Sequence, residues 1–145
     1  MADVVDFPAR NVEPDSLPEA GDRYQAYGLW HRFEPPMLVL IFSTWVMKAL
    51  RYDGLERHNF QPLGKDRDGD CIIRLVFSGM SGSVEAIIVG CGLYMLYSAV
   101  NSHRVHWVWE RPAAEVATGQ LEPVVSSITI NHIGLLADTA SQEDT

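Results

Sequence analysis

The stretch that decides the fold is CIIRLVFS (71–78), GMSGS (79–83), VEAIIVGCGLYMLYSAVN (84–101) and, after Ser102, HRVHWVWE (103–110). Residues 71–78 are β-branched, aromatic and of strand length after the turn signal Asp68-Gly69. Ser83 is a natural helix N-cap, with Glu85 favourable at the positive end of a helix dipole, so a helix is expected from 84 to 101. Alternation marks 103–110 as a strand that places His103, Val105, Trp107 and Trp109 on one face. A helix of that length rises about 27 Å and an eight-residue strand spans about 26 Å, matched lengths for a β-α-β crossover.

Outward from this unit, Leu38, Ile41, Phe42, Trp45 and Ala49 recur at helical spacing and predict a second helix over 37–50. Tyr24, Tyr27, Trp30 and Phe33 form a stripe on a short helix capped by Asp22 and stopped at Pro35-Pro36. Asn59–Leu63 is expected to pair with 71–78 across Asp68-Gly69, at a sheet edge because of Pro62. Val124–Ile130 is expected to be the last strand. The expected fold class is therefore α+β, a small mixed sheet containing the β-α-β unit (71–78, 84–101, 103–110) and covered by helices 37–50 and 84–101. A strictly antiparallel sheet is the alternative.

The net charge of −8 belongs to the ends: residues 1–22 and 113–145 carry −5 each, and the middle carries +2. This gives an acidic mobile arm over 1–21, one globular domain over 22–137 and an acidic mobile tail over 138–145. Ten scattered bases against eight acids in the middle make no basic face, so no nucleic-acid partner is expected. The start of the chain lacks a basic n-region followed by an apolar stretch, and two cysteines in apolar runs make no disulfide framework; the expected compartment is the cytoplasm. The apolar runs 37–50 and 86–100 are shorter than the roughly 20 residues that a spanning helix needs, which leaves a membrane-associated two-helix hairpin as the weaker reading.

No catalytic, metal or cofactor motif is complete. Asp66-Arg67-Asp68-Gly69-Asp70 lacks the EF-hand glycine and glutamate, His103 and His106 diverge on a strand, and Gly90-Cys91-Gly92, preceded by the strand-like Glu85–Val89, lacks the third glycine of a dinucleotide loop. Gly79-Met80-Ser81-Gly82 is one residue short of a nucleophile elbow. The leading expectation is a non-catalytic, bacterial or phage-type interaction or assembly subunit without a cofactor. It would work as a homo-oligomer or with a protein partner, because four tryptophans are more apolar surface than a domain this size hides. Trp107 and Trp109 are the expected interface anchors. The alternative is a small-anion-binding protein or hydrolase using Ser78, Gly79, Ser81, Gly82 and Ser83 at a helix N-terminus, with Arg74 or Arg104 nearby.

Overall fold

The computed structural model describes residues 11–13, 15–30, 36–79, 82–112 and 123–133. In chain order its elements are β1 (Tyr27–Leu29), β2 (Met37–Ile41), β3 (Met47–Arg51), a 3-10 turn (Tyr52–Gly54), β4 (Leu55–Pro62), β5 (Asp70–Gly79), β6 (Gly82–Cys91), α1 (Tyr94–Asn101), β7 (Val105–Trp109) and β8 (Val124–Ile133). They form two four-stranded sheets, ordered β1-β7-β2-β3 and β4-β5-β6-β8. Every pairing is antiparallel except β2 with β7.

This overturns the expected α+β fold with its β-α-β unit. Residues 71–78 do form a strand and 105–109 another, but they lie in different sheets. The first half of the expected helix 84–101 is β6, a hairpin partner of β5 in continuous register from Asp70↔Cys91 to Gly79↔Gly82. Val84, Ile87, Ile88 and Val89 are β-branched and favour a strand, while Gly90 and Gly92 each penalise a helix continuing through them. Only 94–101 is helical, and α1 carries the chain from one sheet to the other. Gly90 is explained by close approach: a Cβ there would collide with the Val124 carbonyl of β8.

The expected helix 37–50 is the β2–β3 hairpin, with register Met37↔Arg51 to Ile41↔Met47. Its apolar run reads like a helix because β2, between β7 and β3, is covered on both faces. Leu38 and Leu40 face the main core, while Val39 and Ile41 face a second cluster. With both faces apolar the period of two disappears, and period alone cannot identify such a strand. The short helix expected from Asp22 is replaced by β1, and residues 31–35 of that stripe lie outside the described residues. The two helices that a membrane hairpin required are thus absent, and among the described residues no helix is long and apolar enough to cross a membrane.

Two local readings hold in outline, with β4 starting at Leu55 rather than Asn59 and the last strand running on to Ile133. β4 pairs with β5 across the Asp68-Gly69 turn, with Pro62 at the edge strand, and 124–133 is the last strand. That turn is pinned by Asp66, whose carboxylate accepts the Asp68 N–H at 2.9 Å and whose carbonyl accepts the Gly69 N–H at 3.0 Å.

The inner faces of both sheets share one core with α1. Cys71, Ile73, Leu75 and Phe77 of β5 and Ala86 and Ile88 of β6 meet Leu38, Leu40, Leu96, Val100, Val105 and Val108. Each such Leu, Ile or Val contributes on the order of 1.5–3 kcal/mol by burial. Polar bonds cross-link the sheets along one seam. The Tyr24 hydroxyl donates to the Trp109 carbonyl at 2.9 Å and accepts the Val125 N–H at 2.8 Å. Glu110 accepts the Ser43 N–H on one carboxylate oxygen at 2.7 Å and the Ile128 N–H on the other at 2.9 Å.

Candidate functional site

Trp107 and Trp109, the expected interface anchors, are each only 2% exposed. A bulge puts them there. Gly28 pairs with Trp107 but Leu29 pairs with Val105, so β7 has one extra residue, His106, opposite β1. The slip sends Val105 and Val108 into the main core, and sends Trp107 and Trp109 to the far face of the sheet with Ile41. The strict alternation expected for 103–110 is therefore broken at His106. On that far face Val12 and Tyr24 pack on the two indoles, and the Trp107 ring N–H donates to the Ser16 carbonyl at 2.8 Å. The Trp107 ring lies over Gly28, where a Cβ would collide with it.

What this face leaves uncovered is the tip of the β2–β3 hairpin. Trp45, Val46 and Met47 are 38%, 60% and 42% exposed, three in a row where most other large apolar side chains among the described residues are buried or half-buried. The tip is a tight loop in which the Phe42 carbonyl accepts the Trp45 N–H and Phe42 N–H donates to the Val46 carbonyl, both at 2.8 Å. Trp45 has φ +71°, the left-handed region that hairpin loops of this kind usually give to glycine. Its ring stands 5.3 Å from that of Trp109, and Glu110 fixes the loop through Ser43. The two tryptophans expected to be surplus are buried, and the exposed apolar run lies one strand away from them. The helix reading of 37–50 hid the tip; a strand–loop–strand reading with Ser43-Thr44 as its turn would have revealed it.

Two concavities accompany these surfaces. A groove of about 590 Å³ runs between Asn11, Val12, Glu13 and Asp15 on one side and residues 23–29 on the other, with Trp107 and Pro123 on its walls. Its principal polar groups are already bonded within the chain: the Gln25 side-chain carbonyl takes the Val12 N–H, and Tyr24 and Trp107 make the bonds given above. Burial raises the Tyr27 phenol above its ordinary pKa and lowers that of His106, whose Nδ1 is buried without a hydrogen-bond partner. A second concavity of about 280 Å³ lies on the outer face of the second sheet, with Arg57, Asn59, Arg74, Val76, Glu85 and Ile133 on its walls.

The expected anion loop sits beside this second concavity. Ser78 pairs with Ser83, their hydroxyls 3.4 Å apart, and Gly79 pairs with Gly82. Ser81 and Met80 lie outside the described residues. The helix N-terminus on which the anion and nucleophile-elbow readings relied is replaced by a β5–β6 hairpin, so Ser83 is a strand residue and no N-cap. Arg74 is on β5 facing the concavity, while Arg104 lies outside it, near β7. His103 stacks on Tyr52 at 4.7 Å, His106 meets Trp30 at 4.4 Å, and the two do not converge. Among the described residues no three His, Cys, Asp or Glu side chains are grouped to hold a metal. Comparison with known proteins gives no matching family model, no matching curated protein and no matching solved structure.

Proposed function

We propose that this protein is a non-catalytic, cytoplasmic assembly subunit that self-associates through the tip of its β2–β3 hairpin. The observation that carries this reading is the exposed run Trp45-Val46-Met47, held on a strained turn. A left-handed tryptophan costs on the order of 1–3 kcal/mol of backbone strain, which the single ring contact of Trp45 with Trp109 offsets only in part, and Val46 and Met47 stay exposed. Tryptophan is the residue most enriched where interfaces concentrate their energy. A second copy is the natural occupant: an uncharged apolar patch can meet itself across a two-fold axis without like-charge repulsion.

Light scattering on the full chain at micromolar concentration tests this. The expected mass is a multiple of 16.2 kDa, falling to the single-chain value in Trp45→Gly and in Val46→Asp. Trp45→Gly is the informative variant. Glycine relieves the strain while the lost ring contact with Trp109 costs about 0.5–1.5 kcal/mol, so the fold should persist. A wild-type mass of one chain, with no co-purifying protein, refutes the proposal.

A further inference from the structure

The concavity on the outer face of the second sheet has a charge layout that the fold does not use. β5 turns Arg74 and Val76 to this face, β4 turns Arg57 and Asn59, and β6 turns Glu85 and Ile87. Arg57, Val76 and Glu85 lie in one cross-strand row, and Asn59, Arg74 and Ile87 in the next. Val76 points away from the core yet is only 7% exposed. The long side chains around it stand up as walls and leave it as an apolar floor. Glu85 and Arg74 are diagonal neighbours on adjacent strands, within reach of one another. Even so, among the described residues neither Arg57, Arg74 nor Glu85 joins an ion pair.

We propose that this concavity binds a small zwitterion of the α-amino-acid type. Arg57 and Arg74 hold its carboxylate, Glu85 holds its ammonium, and its side chain lies against Val76 and Ile133. Guanidinium groups match a carboxylate with paired N–H donors, so two of them flanking one oxyanion make a directional site. Glu85 selects against a simple anion, because a lone phosphate would meet a carboxylate beside the two arginines. The volume lies just below the ~300–1,000 Å³ of pockets that take drug-sized molecules, which limits the ligand to a small one. Binding needs no rearrangement of the core, since every residue named stands on the outer face.

Amide chemical shifts of the full chain, titrated separately with L-alanine, L-glutamine, L-leucine, inorganic phosphate and methylammonium, test the assignment. At least one amino acid should give saturable shifts centred on Arg74, Val76 and Glu85, with phosphate and methylammonium each weaker by about tenfold or more. Arg74→Gln and Glu85→Gln should each weaken that amino acid by about tenfold, and Glu85→Gln should strengthen phosphate. The spectra of the variants report directly that the fold is retained. The proposal is overturned if no amino acid gives saturable shifts at these three residues up to about 10 mM, or if phosphate binds there as tightly as the amino acid does.

Discussion

Replacing Glu110 by alanine removes a carboxylate that bonds across both sheets, and its cost can be worked from the geometry. One oxygen accepts the Ser43 N–H at 2.7 Å and the other the Ile128 N–H at 2.9 Å. Bonds to a charged acceptor contribute about 1.5–3 kcal/mol each, and a buried N–H left without a partner loses its share in full. Glu110 is half-buried, so water replaces part of what is lost at the Ser43 end, whereas Ile128 is 6% exposed and leaves little room for it. The expected destabilisation is about 2–4 kcal/mol. At roughly 3 °C per kcal/mol for a chain of this size, Tm should fall by about 6–12 °C. Glu110→Gln keeps one acceptor oxygen and turns an NH₂ group toward the other N–H, so about half the loss is expected. Urea unfolding followed by circular dichroism and by tryptophan fluorescence measures both. Because Ser43 opens the loop that carries Trp45, Glu110→Ala should also weaken self-association. An alanine variant within about 0.5 kcal/mol of wild type would show that the two Glu110 bonds do not help to hold the sheets together.

Gly28→Ala places a methyl group inside the Trp107 ring, so it should cost about 1–3 kcal/mol in urea unfolding and red-shift the tryptophan emission. An unchanged midpoint and spectrum would mean that Trp107 is not seated over β1. Burial holds the His106 pKa below the ordinary 6.5, which sets the sign of a pH effect. The unfolded chain binds that proton more readily than the folded one, so this stability is complete above pH ~6.5 and is lost as pH falls toward the folded pKa. His106→Gln should flatten that part of the stability–pH curve relative to wild type, and an identical slope in the two proteins would remove His106 as its source.

Local chemistry in the sequence determined the second sheet's first hairpin and the last strand. The turn at Asp68-Gly69, the β-branched run after it and Pro62 before it leave one short-range solution, and that is how β4 and β5 pair. Val124–Ile130 was legible because it is a strand-length run rich in Val, Ile and Thr after a polar stretch. The residues of β2 and β6 carried no such mark. β2 is apolar on both faces because one meets the core and the other meets Trp107 and Trp109. β6 faces the core with Ala86, Ile88 and Gly90, yet also turns Ile87 and Val89 outward. Which side of a strand is wet is a property of its neighbours, so the periodicity that would identify it is written only when the sheet assembles.

The candidate sites follow the same division. Trp45 could be read as apolar but not as exposed, because exposure depends on the turn at 42–46 and on a bulge at His106 in a strand more than sixty residues away. Arg57, Arg74 and Glu85 come from three strands. No spacing along the chain relates them until β5 is hairpin-paired with both neighbours, which puts Arg57 and Glu85 on either side of Val76. Register converts three unremarkable charges into one cluster. A one-residue slip in either pairing would turn a member of it to the opposite face, and only the tertiary structure, by burying Ile73, Leu75 and Ile88 on the other side, fixes that register.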